Sequence, residues 1–279
     1  MITASAPASS ANLGPGFDVL ALALAPRCRV SVEQAEGWEV VGASGSQDDQ
    51  LQSIIWGVAG ASPPHRVEVS SDIPIGKGLG SSAALRVATA AALEASGGEM
   101  LVERVFRAVA IAEGHSDNAA AAVFGGLVAV GPLGEVRRLA MHPSLVVVVA
   151  IPEAVLPTAE ARAILSTEVS RGVAVRTAAR VAFLVEGLRT ADPDAFREAA
   201  GDEIHEAPRR HLSPVSHHLA IASRAAGALH AAWSGAGPAV LAVCTEERRA
   251  AVQVAMGEVL GESGEIIIPA IDREGVRLE

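Results

Sequence analysis

A chain of 279 residues with 32 acidic against 22 basic side chains, a formal charge of -10 and a pI near 5.3 has no electrostatic basis for binding nucleic acid or an anionic membrane surface, and its Arg and Lys are scattered rather than clustered. Half of the residues are hydrophobic, yet no apolar run reaches the roughly 18 residues of a membrane span, and residues 1–7 carry neither a basic nor an apolar leader region, so a cytoplasmic protein is expected. Cys28 and Cys244 lie far apart without metal or redox spacing, which fits a reducing compartment, and the length allows one large domain or two modest ones.

Residues 1–35 alternate between apolar runs and a polar turn, Ser9-Ser10-Ala11-Asn12-Leu13-Gly14-Pro15-Gly16-Phe17-Asp18, after which Arg29-Val30-Ser31-Val32-Glu33 predicts a strand. A strand over 66–73 feeds Pro74-Ile75-Gly76-Lys77-Gly78-Leu79-Gly80-Ser81-Ser82-Ala83-Ala84, and Ser81 opens a helix that ends near Ser96, before Gly97-Gly98. Glycines at alternate positions let amides turn inward and let an anion approach without Cβ contacts. The helix start adds unpaired N–H groups and a positive dipole end, and Lys77 adds a mobile charge. The spacing fits neither the P-loop, where Lys and Ser/Thr follow the last Gly, nor the dinucleotide fingerprint, whose third Gly comes three residues after the second. Three glycines alone also suit an ordinary strand-to-helix turn; the double serine, with oxygen ligands as well as caps, tips the reading towards a phosphate cradle.

A second helix runs from Met100 to Ala112 with Val102, Val105, Phe106 and Val109 on one stripe, and continuing that stripe turns Glu113 inward, where a cation or donor must meet it. If the helix frays at Ala112, Glu113 is merely solvated. Glu113-Gly114-His115-Ser116-Asp117-Asn118 then gathers two acids, an imidazole and a carboxamide before the apolar stretch 119–127. Glu113 with a loop serine is chemically sufficient for a hard cation such as Mg2+, whereas the plainer reading of Asp117-Asn118 is a capped turn. Ser144 to Pro152 is a continuous apolar strand, and the domain boundary is placed there, giving 1–150 and 151–279. Helices follow over 170–190, 193–204 and 217–229. After Ser234-Gly235-Ala236-Gly237-Pro238 come a strand at 239–244, a helix at 246–260 and a strand at 265–271, an α+β arrangement rather than a doubly wound sheet.

Three segments in order, residues 7–18, 74–84 and 234–238, resemble the motifs of the galactokinase, homoserine kinase, mevalonate kinase and phosphomevalonate kinase (GHMP) superfamily. The first of them, with Glu-Gly-His-Ser-Asp-Asn at 113–118, is similar to homoserine kinases in particular. The resemblance implies a two-domain GHMP kinase fold, an N-terminal ribosomal protein S5 domain 2-like domain and a C-terminal ferredoxin-like α/β sandwich, and a homodimer. It implies ATP phosphates on Pro74 to Ala84, and Mg2+ on Ser82 and Glu113. Around the amino and hydroxyl ends of L-homoserine it places Asn12, Asp18, His115, Asp117 and Asn118. Arg162 and Arg209 resemble the family's two carboxylate-binding arginines, with Arg210 competing for the second position and Thr158 lining the same pocket. The implied reaction moves the γ-phosphoryl group of ATP to the side-chain hydroxyl, on the route to threonine. Lys77, Asp18, Asp117 and Asn118 serve the chemistry; Asp18 and Asp117 are the alternative proton acceptors, though the resemblance favours substrate positioning over a dedicated base and leaves that assignment open. Threonine or a mevalonate-like hydroxy acid as acceptor, and a non-catalytic binding protein on the same fold, are the rival readings. The segment from Gln47 to Ser62 departs from the family in being short and lacking Asn; Gln50, Gln52 and Trp56 are available substitutes there, and none is assigned to the site.

Overall fold

The computed structural model describes residues 1–42 and 49–279, so Gln47 lies outside the described residues, as does the side chain of Gln50. The chain opens with β1 (Ile2–Ala11) and β2 (Leu20–Gln34), which pair antiparallel along most of their length. β3 (Glu39–Val41), α1 (Asp49–Ala59) and β4 (His65–Ser71) follow, with β4 alternating buried His65, Val67 and Val69 against exposed neighbours. α2 (Ser81–Gly97) lies across β1 and β2, and the closeness is possible because Ala4, Ala6 and Ala8 of β1 meet Ala84, Ala88 and Ala91 of the helix in one core. α3 (Val102–Glu113) buries Val105, Phe106 and Val109, the stripe its sequence predicts, and ends on Gly114 at a φ of 73°. α4 (Asp117–Phe124), β5 (Leu127–Val130) and β6 (Val136–Leu139) complete the first half.

β7 (Leu145–Pro152) leads into α5 (Thr158–Ala163), α6 (Arg171–Thr190), α7 (Pro193–Glu198), α8 (Glu206–Arg209) and α9 (Pro214–Ala225). β8 (His230–Trp233), β9 (Val240–Thr245), α10 (Glu246–Leu260), β10 (Gly264–Ile267) and β11 (Arg277–Leu278) end the order. Among the described residues the strands form two sheets. A seven-stranded one is ordered β11-β1-β2-β4-β3 with β5 on β2 and β6 on β5, and a four-stranded one is ordered β10-β7-β9-β8. Alternate residues of β7 and β9 serve two cores. Val147, Val149, Leu241 and Val243 join Leu184, Leu188 and Phe196 in the core continuous with the first half, while Val148, Ala150, Val240 and Ala242 face Leu219, Val252 and Met256.

The α+β expectation holds, with two corrections to element ends. Residue 150, the expected domain boundary, lies within β7, whose residues pair with β9 and β10 as one strand, and sheet membership changes between Leu139 and Leu145. The helix expected over 193–204 stops at Glu198 because Gly201 adopts a φ of 86° and Asp202 turns back to cap the next helix. The strand expected over 265–271 ends at Ile267, since the chain then leaves for the first sheet: Ile271 bridges to Leu24 and β11 pairs with β1. The same return path neutralises Arg27. Its buried guanidinium bonds Ser5 Oγ at 3.0 Å, Gly275 O at 2.8 Å and the Asp272 carboxylate.

Candidate active site

The phosphate loop is shaped by what clamps it. Gly76, Gly78 and Gly80 have φ of 70°, 82° and 66°. Leu79 O accepts from Ser9 N at 3.1 Å, Gly78 O from Ser234 Oγ at 2.7 Å and Lys77 O from Ala239 N at 3.1 Å, so both halves of the chain hold it. No side chain caps the α2 start that follows, which leaves the N–H groups of its first turn to an incoming anion.

Lys77 is a correction. Its ammonium donates to Pro152 O and Ala154 O at 2.9 Å each and also to Glu153 O, so it is a tether to the end of β7 and not a mobile charge for phosphates. Three convergent carbonyls match the three donors of an ammonium.

Glu113 turns inward as expected, its side chain 6% exposed, and Ser82 Oγ donates to Glu113 Oε1 at 3.0 Å. The cation that meets it is Arg86, whose Nη1 donates to both Ser82 Oγ and Glu113 Oε1. Arg86 escaped the sequence reading, although its place four residues after Ser82, one helical turn on, was the available signal. Among the described residues no group of three or more His, Cys, Asp or Glu could hold a metal. A hydroxyl and a carboxylate still fit Mg2+, which keeps waters and substrate phosphates in its shell.

The turn after β1 carries three non-glycine residues at positive φ, Asn12 at 71°, Leu13 at 51° and Asp18 at 56°, a conformation that persists only where surroundings enforce it. Asn12 Nδ2 donates to Gly235 O at 2.8 Å, and Asn12 Oδ1 accepts from Asp18 N at 3.1 Å. Two buried histidines hold the turn from the other half: His205 Nε2 donates to Gly14 O at 2.9 Å and His230 Nε2 to Leu13 O at 3.0 Å. Arg209, 1% exposed, donates from Nε to Ala161 O at 2.7 Å and from Nη1 to His205 Nδ1 at 3.0 Å. A guanidinium only donates, so His205 must be neutral with its proton on Nε2. Phe17 stacks on His205 at 5.2 Å and lies 5.4 and 5.7 Å from the guanidinium carbons of Arg162 and Arg209.

Arg162 is engaged by Asp18, with Nη1 to Oδ2 at 3.1 Å and Nη2 to Oδ1 at 2.5 Å, so a protein carboxylate occupies the fork expected to take a substrate carboxylate. Asp117 is buried and accepts from Asn118 N at 2.7 Å, Asn118 Oδ1 accepts from Ser9 Oγ at 2.7 Å, and His115 Nδ1 lies 3.3 Å from Asp117 Oδ1. Asp117, ahead of the opposing effect of burial, raises the His115 pKa.

A cleft of about 690 Å3 gathers these groups. Of the residues predicted for the site, Asn12, Glu113, His115, Asp117, Asn118, Thr158, Arg162, Arg209 and the loop from Pro74 to Ala83 line it; Lys77, Asp18 and Ala84 do not. Arg210 is exposed and absent from the lining, which separates it from Arg209. Neither Gln52 nor Trp56 lines the cleft; its apolar side comes from Leu51, Ile54, Ile75, Leu85 and Val155, which carried no motif to announce them. A second cleft of about 530 Å3 at the far end of α2 holds none of the predicted residues.

Burial lowers both His205 and His230 to about 4 and raises Glu206 to about 7. Between pH 4.5 and 6.5 the unfolded chain therefore holds two more histidine protons, and the folded chain one more on Glu206, a net of one proton taken up on unfolding. Stability is then expected to fall by about 1.4 kcal/mol per pH unit on acidification through that window, on the order of 3 kcal/mol in all. Urea midpoints measured at pH 6.5 and 4.5 check this, and equal midpoints would remove the buried neutral histidines.

Comparison with known proteins adds to the geometry. The GHMP kinases N terminal domain matches residues 40–126 and the GHMP kinases C terminal domain residues 184–261. The chain is 34% identical to the homoserine kinase of Trichormus variabilis across 94% of this chain and 93% of that one, and 36% identical to the homoserine kinase of Moorella thermoacetica across 92% of each. The crystal structure of homoserine kinase from Cytophaga hutchinsonii superposes with a TM-score of 0.87 at 26% identity, covering 100% of this chain and 97% of that one.

Proposed function

The chain belongs to the homoserine kinases of the GHMP kinase family, and from that membership and its cleft we propose that it transfers the γ-phosphoryl group of ATP to the side-chain hydroxyl of L-homoserine, giving O-phospho-L-homoserine and ADP. The observation that carries this reading is the meeting, in one cleft, of an uncapped helix start after a three-glycine loop with the Glu113 to Asn118 cluster and a buried arginine. The product leads towards threonine. A cytoplasmic location and a homodimer belong to the same proposal; no described helix is long and apolar enough to cross a membrane.

In this reading the loop 74–84 and the first turn of α2 hold the triphosphate through backbone N–H groups. Mg2+, with Ser82 and Glu113 as its protein ligands, supplies charge neutralisation at the phosphate oxygens when bound. Arg209 holds the homoserine carboxylate, and Arg162 joins it by exchanging Asp18 for substrate, which frees Asp18 for the ammonium group. Asn12 and the Ser9-bound Asn118 fix the walls between the two ends. With Asp18 then given over to the ammonium group, Asp117 is left to receive the hydroxyl proton as the O–P bond forms and the bond to ADP breaks. Alignment does most of the work in such transfer, and a rigid, doubly clamped loop suits it.

ADP release measured with Mg-ATP against L-homoserine, L-threonine and mevalonate tests the proposal. Turnover is expected with homoserine well above the others. Preference for another acceptor makes the chain a different small-molecule kinase, and ATP binding without turnover on any makes it a binding protein.

A further inference from the structure

We propose that Arg86 is a resident cation of the metal site, holding the Ser82–Glu113 pair until a divalent cation arrives with the nucleotide and displaces it. The inference rests on the assignment of Ser82 and Glu113 as the metal's protein ligands. Helical side chains lean towards the N-terminus, so an arginine one turn after Ser82 places its guanidinium over the first turn of α2. There Nη1 donates to Ser82 Oγ and to Glu113 Oε1 together, and these are the two oxygens a metal ion would take. Nη1 bridges the two oxygens, and an ion ligated by both at about 2.0–2.1 Å would have to sit in the same place between them. Arginine and metal therefore exclude each other.

Two observations distinguish this from a fixed structural ion pair. Arg86 Nε is buried without a hydrogen-bond partner, so the fork is incompletely satisfied where it sits. Arg86 also lines the nucleotide cleft, so a swing away from Glu113 keeps its charge within reach of phosphate oxygens, which suit a guanidinium. The pair it guards is well shielded, with side chains of Arg86 and Glu113 17% and 6% exposed. Glu113 thus stays neutralised in the empty enzyme. Two behaviours follow: a divalent cation alone binds weakly, and ATP without a divalent cation still binds, because Arg86 answers its charge.

Mn2+ binding to the nucleotide-free chain, read from the paramagnetic resonance signal of the free ion, separates the outcomes. Arg86→Met is expected to bind Mn2+ at least about tenfold more tightly than the parent, the change that freeing one charge-assisted bond gives. The same variant is expected to bind ATP in EDTA at least about tenfold more weakly. Arg86→Lys keeps a charge but loses the fork that spans both oxygens, and a several-fold gain in Mn2+ affinity is expected from it too. Parent-like Mn2+ affinity in whichever of these variants folds overturns the proposal. Glu113→Gln is the control on the assignment beneath it. If Mn2+ binding is lost in Glu113→Gln but unchanged in the Arg86 variants, the metal ligands stand and the role of Arg86 falls; if Glu113→Gln binds Mn2+ like the parent, the ligand assignment itself falls.

Discussion

Gly78→Ala is expected to lose at least about 100-fold in ATP affinity, and Gly76→Ala to lose little. A Cβ on Gly78 would lie 2.2 Å from Ser234 O and 2.8 Å from Gly237 O, and both obstacles are backbone. Neither can move alone. Ser234 N is bonded to Ala239 O, Gly235 N to Ala11 O and Ser234 Oγ to Gly78 O, so relief means pulling the loop away from the whole 234–239 segment. The φ of 82° adds its own penalty of about 1–2 kcal/mol for any residue with a Cβ. Each loop amide pulled off a phosphate oxygen loses a bond to a charged group, about 1.5–3 kcal/mol, so losing one or two accounts for about 100-fold in affinity. Gly76, at a φ of 70°, carries the same backbone penalty, so the contrast rests on the contacts: there the Cβ meets Val155 Cγ1, at 2.7 Å, on a side chain that is itself exposed. Calorimetric ATP titrations of the two variants, with urea curves to show that each folds, give the comparison. Parent-like affinity in Gly78→Ala would contradict the clamp.

Arg209→Met should raise the KM for L-homoserine about 100-fold while leaving the KM for ATP near that of the parent. Burial, then the neighbouring charge of Arg162, lowers Arg209 to about 10, so it remains a cation at pH 7. Nε and Nη1 are fixed by Ala161 O and His205 Nδ1, and Arg209 lines the cleft. Removing one partner of a desolvated charge pair costs about 2–5 kcal/mol, and 100-fold corresponds to about 3 kcal/mol. Arg210→Met is the matching control, since that side chain is exposed and outside the cleft. An unchanged homoserine dependence in Arg209→Met sinks the carboxylate assignment, and a shift in the ATP dependence of equal size points to general damage instead.

What the sequence could announce was local. Glycines at alternate positions before a helix, and a carboxylate carried onto an apolar stripe, are facts of spacing, and the cradle at 76–82 and inward Glu113 followed from them. Partners far along the chain left no such mark. Lys77 beside glycines looks like a charge for phosphates until three carbonyls about 75 residues on are brought to it by β7. His205 and His230 are unremarkable in sequence, and only the approach of the two halves sets them on Gly14 O and Leu13 O. Arg86 sat one turn from Ser82, but its purpose needs Glu113 from another helix. The sheet that Leu145–Pro152 joins was hidden for the same reason: an apolar run marks a strand without saying which strands it pairs with.

The Arg27 guanidinium, enclosed between β1 and the 272–275 segment, sets a timetable for synthesis. Its counter-charge, Asp272, is translated 245 residues later. At about 5–20 residues per second the ribosome takes roughly 12–50 s to cover that distance. Throughout that interval Arg27 stays solvated at an uncovered edge, because the segment that would enclose it is the one that carries its counter-charge, and burying it without Asp272 would cost several kcal/mol. The half made first is thus the half finished last, and chaperones that hold nascent chains have their longest claim on the segment that begins the active site.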